Sequence, residues 1–547
     1  MRRFGKRPLL FLPVGLSFLH QAAVADPQCI APDTPNSLAD QDRRAVVFTS
    51  KDNAAVLSGF ALDRTLDNIL KTARGDMGAM ITPGEREVLL DSLLTTLADT
   101  KLTNEDSGLT FTVKPRPGES KLRARDLLDP NNPETMIPVG LFNRLDLAPK
   151  DLRNCGEYRI VYAKKNPGGL LDRFLLIFEA SLPNPDPNSS ATGCQEVAKF
   201  WDSLRTMTDA QATQPLLDFY YTGGKLPSGK LDFQPVVDFR HYGLLGGQVR
   251  GNAFDDPQGQ PWHLRQWTIS LTQTLTPTFT STPINENPVP AFFGGAKPDV
   301  EPMATYDQIA GAFLNKFVRD NVRQLTSVDG RAAIPIGPAT TAQELFANLG
   351  VDIDDDFYAI ESASGPGLAD DPTDRAQGTP LEQEIEKALK AAKLDQACGL
   401  TSQHILNRMG AMTCGGCHEF STTRSIAPGI NWPSNPPDPL RHFVHINEEG
   451  VLSELLLQRF LPARFALVQK TVNESFPLVA ALPTTKSIDS RKELVQLLEK
   501  ITAPSAKSAM SENNKRDDLD RIDTLSKELR ETESAQAGAF VLFRLPD

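Results

Sequence analysis

Apolar residues recur along this chain with two different periods, and the change of period divides it. Behind Thr82-Pro83-Gly84-Glu85, a capping box with proline at the first helical position, Val88, Leu89, Leu93, Leu94 and Leu97 follow at helical spacing and predict a helix over 82–99. From 107 to 290 short alternating runs take over, with turn residues between them. They predict strands at 158–163, 174–180, 233–239, 247–250 and 264–271, the first two flanking the turn Asn166-Pro167-Gly168-Gly169. Residues 195–207 interrupt this pattern with a stripe of Val197, Phe200, Trp201 and Leu204, read as the core face of a helix. A further amphipathic helix is expected over 306–325, from Ile309, Phe313, Phe317, Val318 and Val322.

Gly, Pro, Ser and Asp concentrate in 363–380, which reads as a linker. Helical spacing then dominates at 381–394, 402–413, 450–470 and 487–501, with a highly charged stretch at 515–535. The expected organisation is an α+β region over 26–362, a linker over 363–380, a mainly α module over 381–474 and a helical extension over 475–547. An apolar content of 40% in 547 residues is ample for packed domains.

The first 25 residues have the form of a cleaved secretory signal. Arg2, Arg3, Lys6 and Arg7 precede the apolar stretch 8–19, and Ala23-Val24-Ala25 follows as a cleavage site. No apolar run reaches the roughly 20 residues that span a bilayer. The expected location is therefore periplasmic or secreted, with no transmembrane segment. Loss of the signal's four cations and no acids takes the formal charge from −12 to −16. That acidity disfavours nucleic acid as a partner and suits a basic, periplasmic redox partner. In an oxidising compartment Cys29, Cys155, Cys194 and Cys398 can pair in three ways. The favoured pairing is Cys155 with Cys194, which flank one predicted hairpin unit, leaving Cys29 with Cys398; buried free thiols are the alternative.

The remaining two cysteines lie in Cys414-Gly415-Gly416-Cys417-His418. Cys-x-x-Cys-His is the attachment signature of haem c: two thiols on one turn form thioethers to one porphyrin, and the adjacent imidazole takes an axial position on iron. A disulfide or thiol site and half of a zinc site are the alternatives, although no second Cys-x-x-Cys or His pair completes a zinc site. With the helix bearing Ile405, Leu406, Met409 and Met412 ahead of it, this segment resembles the attachment region of monohaem c-type cytochromes. The resemblance covers about a tenth to a sixth of the chain. It implies a cytochrome c-like module over 381–474, one covalent haem c held by Cys414 and Cys417, and His418 as proximal ligand. It further implies that Pro428, in the loop Ile426-Ala427-Pro428-Gly429-Ile430, corresponds to the family's proline whose carbonyl accepts a hydrogen bond from the ligand imidazole. The two glycines inside the motif carry no special meaning in that comparison. The wider chain is also similar to large exported bacterial proteins with one such motif near the C-terminus.

Unlike those cytochromes, this chain has no methionine between Met412 and Met510 to serve as the sixth ligand. His442 and His445 fall in the appropriate window. His445, between Val444 and Ile446, is preferred over His442, which follows Arg441; His404, His263 and Met510 are more remote options. A filled sixth position favours electron transfer, and an open one favours binding of small diatomics or peroxide.

Other candidates fare less well. Gly224–Lys230 matches part of a phosphate loop, yet Leu231 stands where a Mg²⁺-binding hydroxyl belongs, so a turn is expected. Asp352, Asp354, Asp355 and Asp356 lack EF-hand spacing and read as a solvated acidic loop. Arg144, Asp146 and Glu157 read as a structural ion pair or, alternatively, a polar site. No Gly-x-Ser-x-Gly or His-Glu-x-x-His occurs. The leading expectation is thus an exported c-type cytochrome-like electron-transfer protein. The rivals are a haem-dependent oxidoreductase with its substrate site in the N-terminal region and a haem-based sensor or binding protein.

Overall fold

The computed structural model describes residues 29–473 except 33–35, 150–151, 166–172, 187–189, 255–261, 286, 295–296, 328–340, 343–344, 347–348, 350–352, 365–370 and 434–444, together with parts of 493–525. The expected signal over 1–25, His442, Met510 and the turn Asn166-Pro167-Gly168-Gly169 lie outside the described residues, as does much of the expected 475–547 extension.

Most of the alternating region forms one antiparallel sheet. Its strands are β1 Val47–Thr49, β2 Met136–Arg144, β3 Asn154–Lys164, β4 Phe174–Pro183, β5 Gly247–Ala253, β6 Trp262–Leu271 and β7 Pro277–Thr282, adjacent in that order, and β8 Ser362–Ser364 pairs with the start of β6. The stretch 233–239 does not continue as a strand. Only Asp232–Phe233 is extended, against Gly224–Lys225, so the Gly-rich segment between them is the expected turn. Pro235 offers no N–H to a ladder, and the amides of Val236 and Val237 bond instead to the carbonyls of Phe219 and Tyr220.

Helices follow the 3.6-residue pattern closely. They are α1 Leu62–Arg74, α2 Pro83–Leu94, α3 Ser190–Ser203, α4 Asp209–Leu217, α5 Met303–Lys316, α6 Pro380–Ala391, α7 Ser402–Ala411 and α8 Leu461–Asn473. Both halves of the Thr82–Glu85 capping box are formed at α2. Asn447 and Gly450, the latter at φ 74°, close a turn that delays the last helix past residue 450.

The sheet has two unlike faces because successive side chains point oppositely. Tyr158, Ile160, Phe178, Val249 and Trp267 share one face, and Trp201 of α3 stacks on Tyr158 at 5.9 Å. The opposite face carries Arg144, Glu157, Arg159, Glu179, Gln248, Arg250 and Gln266, cross-strand neighbours in register and all buried or half-buried. Pro283 and Asn285 bond to Gln266, Gln248 and Arg250 at one end of this face, and at the other end Arg464 of α8 stands 3.8 Å from Asp146.

The expected linker 363–380 is structured at both ends. β8 closes on β6, and Pro372–Ala376 is a helical turn whose Asp371 cap and Thr373 are buried, Thr373 donating to the carbonyl of Leu406. The Asp and Pro that read as loop composition here build a helix N-terminus. One contiguous apolar cluster accordingly includes Phe178 and Trp201 on one side of this segment and Ile405, Trp432 and Phe460 on the other. Both expected disulfides are present: Cys155–Cys194 joins β3 to α3, and Cys29–Cys398 ties the first described residue to the segment before α7. Among the described residues no helix is long and apolar enough to cross a membrane.

Candidate functional site

Helix α7 delivers the Cys-x-x-Cys-His segment. Its N-terminus is closed by a box in which Thr401 and His404 exchange bonds, and buried Arg408 fixes its far end. The Arg408 guanidinium donates to the carbonyls of Ile426, Leu325 and Thr326 at 2.7, 2.7 and 3.2 Å. The chain then turns tightly through Thr413, whose hydroxyl donates to the Gly410 carbonyl and accepts from the Gly416 amide. A Cβ on Gly416 would lie 1.9 Å from the Gly410 carbonyl oxygen, so this glycine of the motif is required by close backbone approach. The wide helical turn Gly416–Phe420 follows.

Each motif residue is held by a different element. The Cys414 amide donates to Asn287 Oδ1 at 2.8 Å, and its side chain packs with Trp262, Leu264 and Ile284. The Cys417 carbonyl accepts from the Trp432 indole at 3.1 Å. Neither thiol is in a disulfide, whereas the other four cysteines are paired. The His418 ring lies 5.1 Å from the Trp262 ring and 5.3 Å from the His445 ring, the two imidazoles standing at 83°.

His445 reaches this position through a loop clamped on the N-terminal sheet. Ile446 bridges to Leu452, and the Ser453 amide donates to the His445 carbonyl. Beside the loop, Glu448 pairs with Arg173 at 2.6 Å. A Cβ on Gly140 of β2 would lie 2.9 Å from Ile446 Cδ1, so Ile446 packs on this strand, and Gly450, at φ 74° and against the Ser50 and Lys51 backbone, is a position that requires glycine. Phe460 completes the wall, its ring 6.2 Å from His445 and 5.9 Å from Trp432.

The charged sheet face adjoins this cluster and sets its electrostatics. Burial would raise the Asp146 carboxyl, but Arg144 and then Arg464 outweigh it and hold it at about 2. Glu157 is likewise lowered against burial, by Arg159 and Arg250. Burial, with His418, Arg464 and Arg144 adding to it, pushes His445 well below the usual histidine range. The ring is therefore neutral, the form that ligates a metal. Burial and the nearby Cys414 push the Cys417 thiol up to about 12 against the pull of Arg464 and Arg144, which keeps it protonated.

Two of the remote options are engaged elsewhere: His404 in its helix cap and His263 with Glu361 at 2.6 Å. Pro428 sits on the exposed turn between the short strands Ser425–Ala427 and Ile430–Asn431, its Cγ near Gly399. Among the described residues no three His, Cys, Asp or Glu side chains converge as a metal-ion site. Sequence reading missed Arg408, Asn287 and Arg464, since no spacing rule links them to the motif. A surface cleft of about 790 Å³ contains Asp40, Arg43, Arg44 and Asp209, which pair with each other, Arg44–Asp209 at 2.7 Å and Arg43–Asp40 at 2.6 Å. No family model, curated protein or solved structure matches this chain, so the reading of the site rests on its own residues.

Proposed function

We propose that this chain is an exported c-type cytochrome-like protein that carries one haem c and passes single electrons. In this reading Cys414 and Cys417 would hold the porphyrin through thioethers, and His418 and His445 would ligate its iron. The observation that carries it is the meeting of His418 and His445, 27 positions apart in sequence, with ring centroids 5.3 Å apart.

The donor chemistry fits the group. Cys414 and Cys417 stay outside the disulfides that join the other four cysteines, the Cys417 thiol is protonated, and the second imidazole is neutral. Bound haem would supply a one-electron iron couple, and two histidine ligands would set its potential below that of a His/Met site. The chain's residues do the rest: Trp262, Trp432 and Phe460 exclude water, Asn287 and Arg408 fix the attachment turn, and the Glu448–Arg173 pair pins the loop bearing His445. The acidic composition suits a basic periplasmic redox partner. A second reading, a haem-dependent oxidoreductase, is favoured by the buried charges of Arg144, Arg159 and Glu179 beside the motif, more than electron transfer requires.

Maturation with haem-attachment machinery tests the assignment. The expected product has a Soret band, retains porphyrin mass after denaturation and shows a low-spin reduced spectrum unchanged by CO. Absence of covalent porphyrin refutes the reading, and CO binding to the unaltered protein refutes His445 as ligand.

A further inference from the structure

We infer that Arg464 and Arg144 form the wall of a carboxylate-binding site beside Cys417 and His445. Among the described residues, Arg144, Arg159 and Arg250 of the polar sheet face, with Arg464 of α8, meet three carboxylates, Asp146, Glu157 and Glu179. Asp146 accepts from both Nε and Nη2 of Arg144 at 2.8–3.0 Å. Arg159 is satisfied by Glu157 and Glu179, and Arg250 bonds to Gln266 and stands 3.5 Å from Glu179.

Arg464 is the cation left over. Its nearest carboxylate oxygen, on Asp146, is 3.8 Å away, and it makes no hydrogen bond among the described residues, although its side chain is only 9% exposed. Its guanidinium lies 5.9 Å from the Phe460 ring, which is itself 6.2 Å from His445. A buried guanidinium without a hydrogen-bonded counter-charge is costly, and its planar fork matches a carboxylate bidentately. The site therefore takes a carboxylate, either one carried on the porphyrin attached at Cys414 and Cys417 or a free small carboxylate. The carried source rests on the haem reading above; the free source does not.

Haem-loaded full-length protein is compared with Arg464→Met, which keeps most of the volume, and with Arg464→Lys, which keeps the charge without the fork. Thermal unfolding verifies that each variant folds. For a free carboxylate, calorimetric titration with acetate at constant ionic strength detects binding that weakens at least tenfold in Arg464→Met and less in Arg464→Lys. For a carried carboxylate, acetate does not bind, and the midpoint potential, flat from pH 5 to 7 in the wild type, becomes pH-dependent in Arg464→Met. Acetate affinity unaffected by both substitutions, or no acetate binding together with an unchanged potential–pH profile, overturns the inference. If no haem attaches, the haem reading fails by itself, and acetate titration of the haem-free chain decides between a free carboxylate and no site.

Discussion

Replacing Asp146 by asparagine probes the charged face directly. Asp146 is 8% exposed and lies between Arg144 and Arg464, which together hold its carboxyl at about 2 against an ordinary 3.8. A carboxyl depressed by folding stabilises the native state above its unfolded value, and that contribution disappears as pH falls through the folded value. At about 1.4 kcal/mol per pH unit the interval is worth about 2 kcal/mol. Asparagine also leaves two buried guanidinium groups without their shared anion, so the total loss at pH 7 is expected to be about 3–5 kcal/mol. Urea unfolding of wild type and Asp146→Asn from pH 7 to pH 2 separates the parts, because asparagine does not titrate. The gap between the proteins should shrink by about 1 kcal/mol at pH 3 and about 2 kcal/mol at pH 2. A gap of equal size at pH 7 and pH 3 refutes the coupling of Asp146 to these arginines.

His445→Ala in the haem-loaded protein should convert a low-spin spectrum into a CO-binding one, read by difference spectroscopy; an unaltered spectrum removes His445 from the iron. Arg408→Met leaves the carbonyls of Ile426, Leu325 and Thr326 without their donor and should cost about 3 kcal/mol or more, measured by chemical denaturation. The double replacement Cys155→Ala/Cys194→Ala opens a loop of sequence separation 39 and should lower stability by about 4 kcal/mol, a loss absent if the two thiols are unpaired in the purified protein.

The elements legible in the sequence were those whose pattern is local. The capping box at Thr82–Glu85, the paired strands around 158 and 174, and the Trp201 stripe all depend on residues a few positions apart. The disulfide pairing was legible too, because Cys155 and Cys194 flank one unit. The stretch 233–239 misled because alternation was weighed above Pro235, and 363–380 misled because capping residues and linker residues have the same composition. The motif glycines looked neutral until Gly416 was found against the Gly410 carbonyl. Within the site, His445 lies beside His418, and His442 falls outside the described residues. The arginine face was only glimpsed in Arg144, Asp146 and Glu157, because strand register brings Arg159, Glu179 and Arg250 beside them and a helix some 300 residues later adds Arg464.

The docking of the loop around His445 onto Gly140 and Ser50 carries a consequence for dissection of the chain. The last third is not a portable cassette. Severed near residue 370, it would lose the strand and turn against which Ile446 and Gly450 pack, while the severed sheet would lose Arg464 from beside Asp146. Whatever chemistry resides here belongs to both pieces jointly, and is to be sought only in the uncut polypeptide.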